Sequence, residues 1–249
     1  MATVEGRPTR SNPITPDNLP AGWREHARGQ HLAMIARWIG APSGLWLKTD
    51  LYEEIQDNRE LIPRLPSATW IGMDLSPEVA GFTNDAGFMR VVGDVRRLAF
   101  RDGAFDGVLS TSTLDHFDRE SDLRKALGEI RRVIAPGGRL VLTLDNPDNP
   151  LIRLRNMLPA GLAAGTGLVP YPVGVTLDKA GGTEALRGAG FVVEHVEYLL
   201  HVPHVVGTRL ARFGWYRRHS MGRFERLANT PLARLTGHYV AFICSVPPS

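Results

Sequence analysis

The chain has one cysteine, Cys244, so no disulfide forms within it and packing and hydrogen bonds have to hold the fold. It has no apolar run of the roughly 18 residues that a membrane-crossing helix needs. The least polar stretch, 157–175, is interrupted by Pro159, Pro170, Pro172 and glycines. A basic segment leading into an apolar core and a cleavage site is missing at the start, so cytoplasmic residence is the expectation. Charge of one sign is also in short supply: the formal net charge is +3. Such a small excess is no argument for a polyanionic partner, and no nucleic acid is expected. The most informative shortage is local, for no glycine occurs between Gly44 and Gly72.

With 43% apolar and 22% charged residues, the composition is that of a soluble globular protein, and 249 residues fit one large α/β domain. Residues 1–20, with Pro8, Pro13, Pro16 and Pro20, read as an irregular arm, and 21–249 as the domain. Apolar spacing predicts helices over 23–39, 51–65, 120–134 and 180–188. Short apolar runs predict strands at 45–50, 69–73, 89–92, 105–110, 139–144, 191–200 and 239–244. Strand and helix alternate along most of the chain, which predicts a doubly wound, mostly parallel, seven-stranded sheet with its ligand at the C-terminal strand ends. Residues 145–178, rich in glycine and proline, interrupt the rhythm and read as a lid or capping insertion. From Arg209 to Arg234 there are seven arginines and one acid, Glu225. That region reads as a solvated helical face or as a basic mouth for an anionic substrate.

Four segments then stand in a telling order. Trp70-Ile71-Gly72-Met73-Asp74-Leu75-Ser76-Pro77 ends an apolar strand on a carboxylate. Val92-Gly93-Asp94-Val95 does the same one strand later. Asp102 to Ser110 forms a turn and a buried strand, and Glu129 to Gly138 a helix followed by a Pro-Gly-Gly turn. Together they resemble the class I S-adenosylmethionine (SAM)-dependent methyltransferases, over roughly residues 44–200. The resemblance implies that Asp74, with Leu75, accepts hydrogen bonds from the ribose hydroxyls of SAM. It implies that Asp94, with Val95, lies beside the adenine, and that Ser110 closes the cofactor site. A carboxylate at a strand end suits a diol because its two oxygens accept in parallel. Helix capping at Asp74 and a solvated turn at Asp94 explain the same residues without a ligand.

The family's first strand leads into a glycine-rich loop that lets the backbone approach SAM. Here Leu47-Lys48-Thr49-Asp50-Leu51 stands in its place, similar to a divergent group of methyltransferase-like proteins. Side chains then replace backbone contacts: Asp50 pairs with the ammonium of SAM, and Lys48 or Thr49 with its carboxylate. After the fourth strand, Asp115 and His116 are the catalytic candidates, since a near-neutral imidazole can take a proton from an attacking hydroxyl. Asp145, Asn146 and His204 are candidate substrate contacts. His201-Val202-Pro203-His204 is too sparse for a metal site, and no metal is expected. The expected activity is methyl transfer from SAM to a small or medium-sized, possibly anionic, metabolite, with oxygen slightly favoured. The alternatives are the same fold catalysing a cyclisation or isomerisation, and a binding partner without catalysis.

Overall fold

A computed structural model describes residues 19–55, 60–81, 87–157 and 174–248. Its centre is one seven-stranded sheet: β1 Gly44–Lys48, β2 Ala68–Asp74, β3 Met89–Val92, β4 Phe105–Thr111, β5 Ile134–Asp145, β6 Val192–Leu199 and β7 Tyr239–Ser245. The order across the sheet is β3-β2-β1-β4-β5-β7-β6, with only β7 antiparallel to its neighbours. The strand order turns between β1 and β4, which is where sheets of this kind take their ligand.

Successive strand residues serve opposite faces. On one face Leu47, Val108, Leu140, Leu142, Val240 and Phe242 pack against helix α3, Glu120–Val133. That helix buries Leu123, Ala126, Leu127, Ile130 and Val133, the three-and-four spacing that its sequence shows. The other face carries Trp46, Trp70, Val141 and Ile243 against helix α1, Ala21–Trp38, whose Met34 and Ile35 are buried. Two further helices complete the parts needed below: α4, Pro150–Met157, and α5, Lys179–Gly188, with the short α2, Pro77–Gly81, preceding them in the chain.

Two expectations change. The helix predicted over 51–65 is not formed among its described residues; two single 3₁₀ turns stand there, Glu53–Ile55 and Ile62–Arg64. Pro63 and Pro66 limit any helix, and Glu54 turns inward to accept the N–H groups of Leu61 and Ile62 at 3.1 and 3.2 Å. The Pro136-Gly137-Gly138 turn lies inside β5 as an irregularity in its pairing with β4, with Gly137 at φ +78°. The arm predicted over 1–20 falls outside the described residues apart from Leu19 and Pro20, as does 158–173 of the proposed lid. Within 145–178, Gly174 and Val175 donate to the carbonyls of Asp115 and Phe117 and so lie along the turn after β4.

Candidate active site

The loop after β1 is built around a buried cation. Lys48 is fully buried, and its ammonium donates to the Asp50 carbonyl at 2.7 Å with Glu53 and Glu54 at 3.7 and 3.6 Å. Burial alone lowers its pKa, and the charges of Glu54, Glu53, Asp50 and Asp74 together more than reverse this, so it stays charged. Thr49 is held in turn by Ser110 and Thr113 at 2.9 and 3.1 Å, and Thr111 donates to Glu53. Leu51 then crosses onto β2, where a Cβ on Gly72 would collide with its side chain. The loop lacks glycine, and the neighbouring strand supplies one for it.

Two half-buried carboxyls face the mouth of this loop. Asp50 accepts the N–H of Tyr52 at 2.8 Å; burial pushes its carboxyl up to about 6 although Lys48 opposes the shift. Asp74, at the end of β2, accepts from Leu51 N–H at 3.0 Å and Ser76 N–H at 2.8 Å, and burial raises it as well. Asp50, Asp74, Glu53 and Glu54 thus surround one lysine, and acid is in excess. His116, exposed beyond β4, is close enough to act on the charge of Asp50.

A second cluster closes the end of β5. Asp145 pairs with Arg155 of α4 at 2.5 Å and lies 3.6 Å from His238 Nε2, with all three buried. Its backbone N–H donates to Asp115 Oδ2 at 3.0 Å, while buried Asp115 Oδ1 has no hydrogen-bond partner among the described residues. Burial, and then the charge of Asp145, push the Asp115 carboxyl up to about 7. His238 is held neutral by burial and stacks on His204 at 5.4 Å.

A methyltransferase domain model matches residues 58–142. Demethylmenaquinone methyltransferase of Thermus thermophilus is 38% identical over 35% of this chain and 40% of its own length. The tRNA (carboxymethyluridine(34)-5-O)-methyltransferase of Arabidopsis thaliana is 33% identical over 32% of this chain and 20% of its own. The chain therefore spans well under half of either relative. A solved SAM-dependent methyltransferase of Thermotoga maritima matches 90% of both chains with a TM-score of 0.59 at 16% identity. The [4+2]-cyclase SpnF matches 88% of this chain and 81% of its own with 0.55 at 17%. The chain has the fold of the class I methyltransferases.

Asp74 stands at the end of β2, with Leu75 exposed beside it. Asp94 stands after β3, but Arg96 takes its carboxylate with two nitrogens at 2.7–3.0 Å and holds it below the usual range. Val95 is core, and Ser110 is buried as the partner of Thr49. Four of the expected contact residues have partners within the fold. Lys48 is spent on Glu53, Glu54 and the Asp50 carbonyl, and Thr49 on Ser110 and Thr113. Asn146 donates to the carbonyls of Arg234 and Gly237 at 2.8 and 2.9 Å, which is a stitch between chain segments rather than a substrate contact. His204 packs edge-on against Trp23 at 5.3 Å as well as on His238. Arg155 and His238 were missed: His238 is brought to Asp145 by the β5–β7 pairing, and Arg155 by the turn of α4 back over the end of β5. No group of three or more metal-ligating residues occurs among the described residues.

Proposed function

We propose that the chain is a SAM-dependent methyltransferase whose acceptor is a small or medium-sized metabolite, with oxygen favoured as the nucleophile. The observation that carries this reading is the acid excess of Asp50 and Asp74 at the ends of β1 and β2, where the fold takes its ligand. SAM is cationic at its sulfur and its amino group, so the residues present fit it by charge. When bound, it supplies an electrophilic methyl group. Asp50 holds the ammonium, and Asp74 has lone pairs left for the ribose diol. Asp115 orients the acceptor from behind the turn after β4, and His116, on the open side of that turn, takes the proton from its hydroxyl.

Isothermal titration of the purified chain with S-adenosylhomocysteine tests the cofactor reading. Binding is expected, with Asp50→Ala losing it and Asp74→Ala weakening it by about tenfold or more, as for the loss of hydrogen bonds to a charged group. Absence of any heat with the unmutated chain sinks it.

A second reading rests on the glycine-free loop and on the cyclase that shares this fold. There the acceptor is cyclised or isomerised with no SAM consumed. Release of S-adenosylhomocysteine in step with acceptor turnover rules it out. The relative named for tRNA also removes the ground for leaving nucleic acid aside as acceptor. Transfer of labelled methyl to total tRNA, with none to a metabolite extract, would replace the metabolite reading.

A further inference from the structure

Between Val202 and Phe224 the chain has no acidic residue, and it packs on one side only. Ala211, Tyr216 and Met221 are buried with Trp23 and Val202, and their five-residue spacing matches the π-turn over Arg217–Met221. The opposite side is turned to solvent. Phe213 and Trp215 are 41% and 57% exposed, and Val206 38%. Around them Arg209, Arg212, Arg218 and Arg223 are exposed and form no ion pair among the described residues. Arg212 lies over the Phe213 ring at 4.9 Å, so cation and aromatic form one surface. The next acid along the chain, Glu225, is no counter-charge for it: Glu225 is turned inward onto His26 and the His201 N–H at 2.9 and 3.3 Å.

Solvent exposure of a tryptophan and a phenylalanine beside unpaired guanidiniums is unfavourable for a free surface. It suits the boundary of a lipid bilayer. An indole has an apolar body and a polar N–H, a combination that settles at the headgroup level, and guanidiniums there meet phosphates in pairs of hydrogen bonds. A single nucleic-acid strand also stacks on aromatic rings among arginines. Val206, an aliphatic side chain, has a place in a lipid interface and none in such a stack.

We propose that the outer face of residues 204–224 docks on an anionic lipid headgroup surface, with Phe213 and Trp215 entering the interface and the surrounding arginines pairing with lipid phosphates. The proposal is independent of the methyl-transfer reading. It does set that reading's geometry, since the helix over His204–Leu210 also brings His204 against His238 at the end of β5.

Flotation of the full chain with vesicles tests the proposal. Vesicles of phosphatidylcholine mixed with phosphatidylglycerol are expected to carry the protein, those of phosphatidylcholine alone to leave it behind, and added salt to weaken binding. The double variant Arg212→Glu/Arg218→Glu should bind mixed vesicles roughly thirtyfold more weakly or worse, the scale of two lost basic contacts. Trp215→Ala should bind several-fold more weakly and keep the salt dependence. All three residues are exposed, so both variants should melt like the unmutated chain. Failure to float with mixed vesicles at low salt overturns the proposal, as does equal binding by the variants. Capture of polyuridylate with the same arginine dependence, and no flotation, gives the patch to single-stranded RNA instead.

Discussion

Two corners of the sheet's C-terminal edge are held by buried charge, and they are assembled in opposite ways. The loop after β1 is knit largely from close neighbours: Lys48, Asp50, Glu53 and Glu54 lie within seven residues, and Asp74, Ser110, Thr111 and Thr113 reach it from the neighbouring strands and the turn after β4. The corner at the end of β5 gathers Asp115, Asp145, Arg155 and His238 from four separate elements. The local corner has excess acid facing outward and is suited to hold a cation. The composite corner faces inward: Asp145 takes the guanidinium of Arg155 and lies beside neutral His238, while Asp115 takes the Asp145 N–H. The difference teaches which polar residues are free for chemistry. A charge knit locally still has an open side, whereas one assembled across the fold is used up by the assembly.

The strongest way to break this contrast is to remove the cation from the local corner. Lys48→Met leaves Glu54 buried at 2% exposure without its partner, and breaking a buried pair in this way costs about 3–5 kcal/mol. Urea unfolding should show that loss, and the double variant Lys48→Met/Glu54→Gln should recover a good part of it. If the single variant unfolds like the unmutated chain, Lys48 does not hold the loop.

How much could be read beforehand follows the same division. The strands were legible because apolar runs of strand length alternate with helical spacing, as in Leu140, Val141 and Leu142 or the buried stripe of α3. Asp74 was legible because a carboxylate ending an apolar strand lies at the ligand edge whatever the remaining fold does. Lys48 was misjudged: spacing placed it after the first strand, but nothing in the sequence shows that its ammonium turns under the loop rather than out of it. The false helix over 51–65 has a related cause, since apolar spacing does not reveal that Glu54 is used to cap the turn at Leu61. His238 was silent because a lone histidine before a strand acquires meaning only when β7 is laid against β5, and Arg155 because an arginine in a short helix does not show which way it folds back.

The composite corner gives a smaller expected effect. Asn146→Ala removes the donors to the buried Gly237 carbonyl, which Asn149 still reaches at 3.0 Å, and to the partly buried Arg234 carbonyl. The one carbonyl left without its donor is partly solvated, so the cost should be about 1 kcal/mol, the low end for an unsatisfied polar group. The same variant should leave S-adenosylhomocysteine affinity within about twofold, as expected for sites far apart that share no partner. A large loss of affinity would show that the two corners are coupled and that Asn146 does more than stitch.

An effect that appears only as pH changes separates a used-up acid from a working one. Asp115 has its carboxyl pushed up to about 7, from 3.8 when unperturbed, by burial and by Asp145. A raised acid contributes stability that is fully present below the unfolded value and is lost as pH rises through the folded one, so the loss here falls between about pH 4 and 7. Asn at this position keeps an acceptor for the Asp145 N–H and cannot ionise. Asp115→Asn should therefore gain in melting temperature relative to the unmutated chain as pH rises from 5 to about 7, with the gain level above that. His201 and His238, both lowered by burial, act in the opposite direction below their usual pKa, but they are present in both proteins and cancel in the difference. A difference that stays flat across this range would mean that Asp115 is ionised and compensated by a group it meets in the folded chain. The orphaned Oδ1 would then no longer mark the acceptor side of the site.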